Sequence, residues 1–140
     1  MVQLIVGNKG KGKTKYLLDT VNEAVKSANG NIAYLDKSTK HMFELNNKVR
    51  LINCSDYDIA NSSEFVGFVS GIMSQDHDLE ALYVDGFLTL SKEEDTAAAF
   101  KAIDRLEAIS TKFNVNFVLS ISVDKADLPE NLQEKVIIAL

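Results

Sequence analysis

Tryptophan is absent, and cysteine and proline occur once each, at Cys54 and Pro129. A single cysteine excludes an internal disulfide framework and a cysteine-built zinc cluster. Cys54 is expected to be a reduced, partly buried thiol near a strand end. One proline, with no Pro/Gly/Ser-rich stretch and no fixed-period repeat, leaves no linker, so residues 1–140 are expected to form one domain. No apolar run approaches the roughly 20 residues that span a bilayer, and MVQLIVG lacks the basic flank and cleavage site of a secretory signal. These features predict a cytoplasmic chain with no membrane partner. Histidine is scarce: His41 and His77 stand apart, without a second ligand at metal spacing, and each reads as a surface residue. Arginine is scarce too. Arg105, between Asp104 and Glu107, reads as half of a solvated ion pair, and Arg50 projects from a predicted strand.

Basic charge is also in deficit. The net charge is −5, whereas a domain that grips nucleic-acid backbone carries a basic stripe and a high isoelectric point. Nucleic acid is therefore an improbable partner. Against that acidic background Lys9, Lys11, Lys13 and Lys15 alternate within one short segment. They mark a local anion site on an acidic body.

What is present is an alternation of apolar strands and amphipathic helices. Val2–Val6 is a short apolar run ended by Gly7, as in a buried strand. Apolar positions at helical spacing predict a helix over Lys13–Ala28, stopped by Asn29-Gly30. Strands are predicted at Asn31–Asp36, Lys48–Asn53, Leu79–Asp85, Asn116–Ser122 and Lys135–Ala139, and a short helix over Ser38–Leu45. A helix capped by Asn61 or Ser62 presents Phe65, Val66, Val69, Ile72 and Met73 on one face. Ser91 and Glu94 are spaced as a capping box for a helix carrying Phe100, Ile103, Leu106 and Ile109, and Pro129 suits the first turn of a short helix. The pattern predicts a three-layer α/β/α fold with a mainly parallel sheet of five to six strands. Ligands of such sheets bind at the carboxyl ends of the strands, the rim that carries Gly7–Thr14, Asp36, Asp85 and Ser122.

Gly7-Asn8-Lys9-Gly10-Lys11-Gly12-Lys13-Thr14 matches G-x-x-x-x-G-K-[ST] at every fixed position, between an apolar strand and a helix. Gly7 and Gly12 allow a tight turn and close approach to phosphate oxygens. The loop N–H groups and the start of the helix converge on the anion. Lys13 is placed for the β- and γ-phosphates, Thr14 for a magnesium ion, and Asn8, Lys9, Gly10, Lys11 and Lys15 for the rest of the nucleotide-binding shell. By this loop and its setting the chain resembles the P-loop NTPase superfamily, strongly at the strand–loop–helix opening and in outline elsewhere, in the manner of the RecA-like and AAA-like branches.

The resemblance implies a second motif and some gaps. Leu79–Asp85 ends an apolar strand in a carboxylate, like a Walker B segment, so Asp85 is expected to face Thr14 across a magnesium ion. Lys13 and Asp85 are thus the expected catalytic pair, and Thr14 and Asp85 the metal pair. Hydrolysing relatives often carry glutamate after that aspartate, but Gly86 and Phe87 follow here. Asp36 is the alternative water-activating carboxylate; otherwise it is a strand-end turn residue. Ser120 and Ser122 are either γ-phosphate sensors or small packing residues, and Tyr16 is a candidate for base or ribose contact. Tyr34 and Tyr83 read as core.

Three functions follow as expectations. The first is a Mg2+–ATP-binding protein with slow or partner-stimulated hydrolysis, the missing groups coming from a homo-oligomer or protein partner. GTP is the lesser expectation, since Val123-Asp124-Lys125-Ala126-Asp127 has aspartate where N-K-x-D needs asparagine. The others are a small-molecule or nucleoside kinase, for which the arginine-rich lid is lacking, and a nucleotide-binding regulator without turnover.

Overall fold

A computed structural model describes residues 1–140. Six strands form one sheet: β1 (Val2–Val6), β2 (Asn31–Asp36), β3 (Val49–Asn53), β4 (Leu79–Val84), β5 (Asn116–Ile121) and β6 (Val136–Ala139). Their spatial order is β3-β2-β4-β5-β1-β6, and every pairing is parallel. Such a sheet needs cover on both faces, and the helices α1 (Lys13–Val25), α2 (Ser62–Gln75), α3 (Phe87–Ser91), α4 (Thr96–Phe113) and α5 (Glu130–Gln133) provide it.

The two faces are legible in the period-two alternation of each strand. Val2, Leu4 and Val6 of β1 join Ala33 and Leu35 of β2 in the larger core, under Phe65 and Val69 of α2 and Ile103 and Leu106 of α4. The intervening Ile5, Ile32 and Tyr34 pack with Leu17, Leu18 and Val21 of α1 on the other face. Helices α2–α5 therefore cover the first of these faces, and α1 alone covers the other. The expected three-layer parallel architecture is what forms, with the sheet parallel throughout.

Element ends moved for local reasons. Helix α1 ends at Val25 rather than Ala28, in a tightened turn where Lys26 and Ser27 bond the carbonyls of Glu23 and Ala24. The helix expected over Ser38–Leu45 is a single 3-10 turn, Met42–Glu44. The expected capping box does not form. Ser91 closes α3 instead, its hydroxyl donating to the Phe87 carbonyl at 2.7 Å, and Lys92 turns the chain with φ of 54°. Asp95 caps α4, accepting from the N–H groups of Ala97 and Ala98. Asn61 caps α2 as expected, at 2.9 Å from the Glu64 N–H. Arg105 donates to Ser63 at 3.1 Å, not to a neighbouring carboxylate, and Arg50 pairs with Asp76 at 2.8 Å. Cys54 is buried in the turn after β3, where desolvation, with Asp36 adding to it, pushes its thiol up to about 12.

Candidate functional site

The loop between β1 and α1 is shaped by its glycines. Gly7 has φ of 148°, and a Cβ there would lie 2.9 Å from the Leu140 carbonyl oxygen beside the end of β6. Gly12, with φ of 87°, takes the N-cap position of α1, and no side chain bonds the first-turn N–H groups. A helix start without a side-chain cap presents free donors and the positive end of its dipole, the arrangement that receives an oxyanion. Lys13 is 9% exposed. Its ammonium donates to the carbonyls of Gly7 at 2.6 Å and Asn8 at 3.0 Å. Burial lowers the pKa of Lys13, and the negative charge of Asp85 partly offsets that.

Asp85 stands one residue beyond β4, held at the rim by its N–H bond to the Leu35 carbonyl of β2 at 2.9 Å. The Thr14 hydroxyl donates to one of its oxygens at 3.1 Å, and the Tyr34 hydroxyl donates to the other at 2.8 Å. The two residues expected to flank a magnesium ion are thus in direct contact, though 71 positions apart in the chain. A hydroxyl and a carboxylate are hard oxygen donors of the kind magnesium takes, with its other positions left to water and phosphate. The residues fit that ion. Tyr34 is buried, and desolvation together with the adjacent Asp85 carboxylate raises its pKa, keeping the phenol a donor.

Lys13, Thr14 and Asp85 border a cavity of about 450 Å³ at the carboxyl ends of the strands, and Tyr34 supports Asp85 from beneath it. Of the loop residues named from sequence, Lys9, Gly10, Gly12, Lys13 and Thr14 line it. Gly7 and Asn8 bear on it through the carbonyls that hold Lys13. Lys11 and Tyr16 are exposed and outside the lining, and Lys15 turns away to Asp19 at 3.3 Å. Asp36, Ser120 and Ser122 all reach the cavity. The Ser120 hydroxyl also accepts from the Gly86 N–H at 2.7 Å, tying the end of β5 to the turn after Asp85.

Two contributors went unread in the sequence. Tyr34 is both a core residue and a ligand of Asp85. Its shared parity with Asp36 on β2 was the available signal, since both point to the α1 side of the sheet. His41 lines the cavity, with a ring nitrogen within 4.8 Å of carboxylate oxygens of Asp36 and Asp85. Nothing in the local sequence announces this, because an irregular segment between β2 and the 3-10 turn carries it there.

No family model matches the chain, and no curated protein is similar to it in sequence. Among solved structures it resembles a KaiC-like protein from the hyperthermophilic archaeon Pyrococcus horikoshii OT3, with a TM-score of 0.66 at 12% identity over 95% of this chain and 67% of the other. The two structures share a fold. At that identity the likeness speaks for the architecture alone, an α/β/α sandwich around a parallel sheet. No helix is long and apolar enough to cross a membrane.

Proposed function

We propose that this chain binds a magnesium nucleotide, ATP in preference to GTP, and hydrolyses its terminal phosphoanhydride slowly or when a partner completes the site. The observation that carries this reading is the convergence of the glycine loop and Lys13 with the Thr14–Asp85 contact at one strand-end cavity. The backbone N–H groups of the loop and of the start of α1 grip the phosphates. The Lys13 ammonium exchanges two carbonyl partners for phosphate oxygens. Thr14 and Asp85 would hold the magnesium, which supplies charge neutralisation at the β- and γ-phosphates when bound.

Slow turnover follows from what surrounds this grip. Gly86 and the fully buried Phe87 succeed Asp85, so no carboxylate follows it to orient water. Both arginines are engaged at other surfaces, with Asp76 and Ser63. A second copy or another protein is the expected source of the missing cation. A cytoplasmic setting is the proposal that goes with this chemistry.

Single-turnover assays with ATP and GTP test the reading. Inorganic phosphate should appear slowly with ATP and not at all with Lys13→Ala. Transfer to an added acceptor faster than release to water would instead mark a kinase. Bound nucleotide with no product would mark a regulator without turnover, and GTP binding about tenfold tighter than ATP would overturn the base preference.

A further inference from the structure

Asp36 is only 3% exposed at the end of β2 and faces the cavity. One of its oxygens accepts from the Lys37 N–H at 2.7 Å, while the other is buried with no hydrogen-bond partner. An unpaired carboxylate oxygen is a costly thing to bury. Asp85 lies on the adjacent strand end, so two carboxylates face one small space, where like charges disfavour joint ionisation. The third group there is His41. One ligand atom from each of Asp36, His41 and Asp85 lies within 4.8 Å of the other two, a spacing that small side-chain rotations bring to that of atoms sharing one ion.

The histidine also has a carboxylate partner of its own. Its Nδ1 is 3.3 Å from a Glu44 carboxylate oxygen, which leaves Nε2 as the unengaged ring nitrogen. A carboxylate on the far nitrogen of a metal-bound imidazole fixes the ring and raises its basicity. The 3-10 turn Met42–Glu44 sets that spacing.

From this geometry we infer that Asp36, His41 and Asp85 form a binding site for a borderline divalent cation, of the zinc or cobalt type. The donor set decides the class: an imidazole nitrogen with two carboxylate oxygens favours such ions over magnesium, which takes oxygen donors. Three protein ligands leave a position open to water or a further ligand. The site differs from the Thr14–Asp85 magnesium position in its ligands, sharing only Asp85. It requires no nucleotide, so it stands apart from the function proposed above.

The test is calorimetric titration of zinc chloride, and separately cobalt chloride, into the chelator-stripped full chain without nucleotide. The expected result is one equivalent taken up, with affinity weakened at least about tenfold by His41→Ala and by Asp36→Asn, and unchanged by His77→Ala. His41 is on a half-exposed loop, so its variant should keep the fold, and circular dichroism verifies this for each protein. No uptake, or uptake that His41→Ala leaves within about twofold, would overturn the site. So would equal weakening by His77→Ala, which would mark scattered surface binding. A failed titration leaves the nucleotide reading intact, and failure of Lys13-dependent nucleotide binding leaves this site intact.

Discussion

Asp85 serves three groups at once: it accepts from Thr14 and Tyr34, and its charge pulls against the desolvation of Lys13. Asp36, one strand away, has the opposite balance. Burial raises its pKa, the Lys37 N–H lowers it, and Asp85 raises it again. The consequence for stability has a definite sign. Below the unfolded-state pKa both states are protonated and Asp36 contributes nothing. Above that value the unfolded chain gives up this proton while the native state still holds it, so stability is lost as pH rises from the unfolded value through the raised folded one. Beyond the folded value the native charge is held at a constant disadvantage. Asp36→Asn cannot ionise. In metal-free buffer it should be more stable than wild type by roughly 1 kcal/mol at about pH 8, with the gain fading toward about pH 4. Urea melts at the two pH values measure this, and an equal effect at both would refute the assignment of buried charge.

At the scale of elements, boundaries followed local hydrogen bonding more than spacing in the sequence. Ser91 and Glu94 have the spacing of a capping box, yet the Ser91 hydroxyl is spent on the Phe87 carbonyl four residues back, a bond that serine makes readily inside a helix. The short α3 that results could not be read from five residues of mixed character. Asp95 therefore carries the cap. Asp95→Ala should cost about 1 kcal/mol, whereas Glu94→Ala should leave the thermal midpoint unchanged; the reverse order would restore the capping box. By contrast β1 and β2 are found at the limits read from their apolar runs, β1 ending at Gly7, whose φ of 148° leaves the strand conformation. The phosphate loop was legible for a similar reason: its chemistry is local, with spacing, glycines and lysine all within eight residues. Tyr34 and His41 were not legible as site residues. The role of Tyr34 depends on which strand becomes the neighbour of β2, which its parity with Asp36 does not specify, and that of His41 on the path of an irregular segment.

At the scale of the whole molecule, the all-parallel order brings the ends of β1, β2, β4 and β5 to one rim. This gathers Lys13, Thr14, Asp36, Asp85 and Ser120 around one cavity. The sheet is a positioning device: β2 beside β4 sets Asp36 against Asp85, and β5 between β4 and β1 lets Ser120 steady the turn after Asp85. The central claim is that this rim grips a magnesium nucleotide through Lys13. Thermal unfolding of the full chain with ATP, with and without magnesium, tests it most directly. At about one hundred times the dissociation constant, a ligand that binds only the folded state adds about 2.7 kcal/mol. The account predicts a magnesium-dependent rise in melting temperature with ATP that is absent in Lys13→Ala. No rise with any nucleotide, or the same rise in Lys13→Ala, would contradict it.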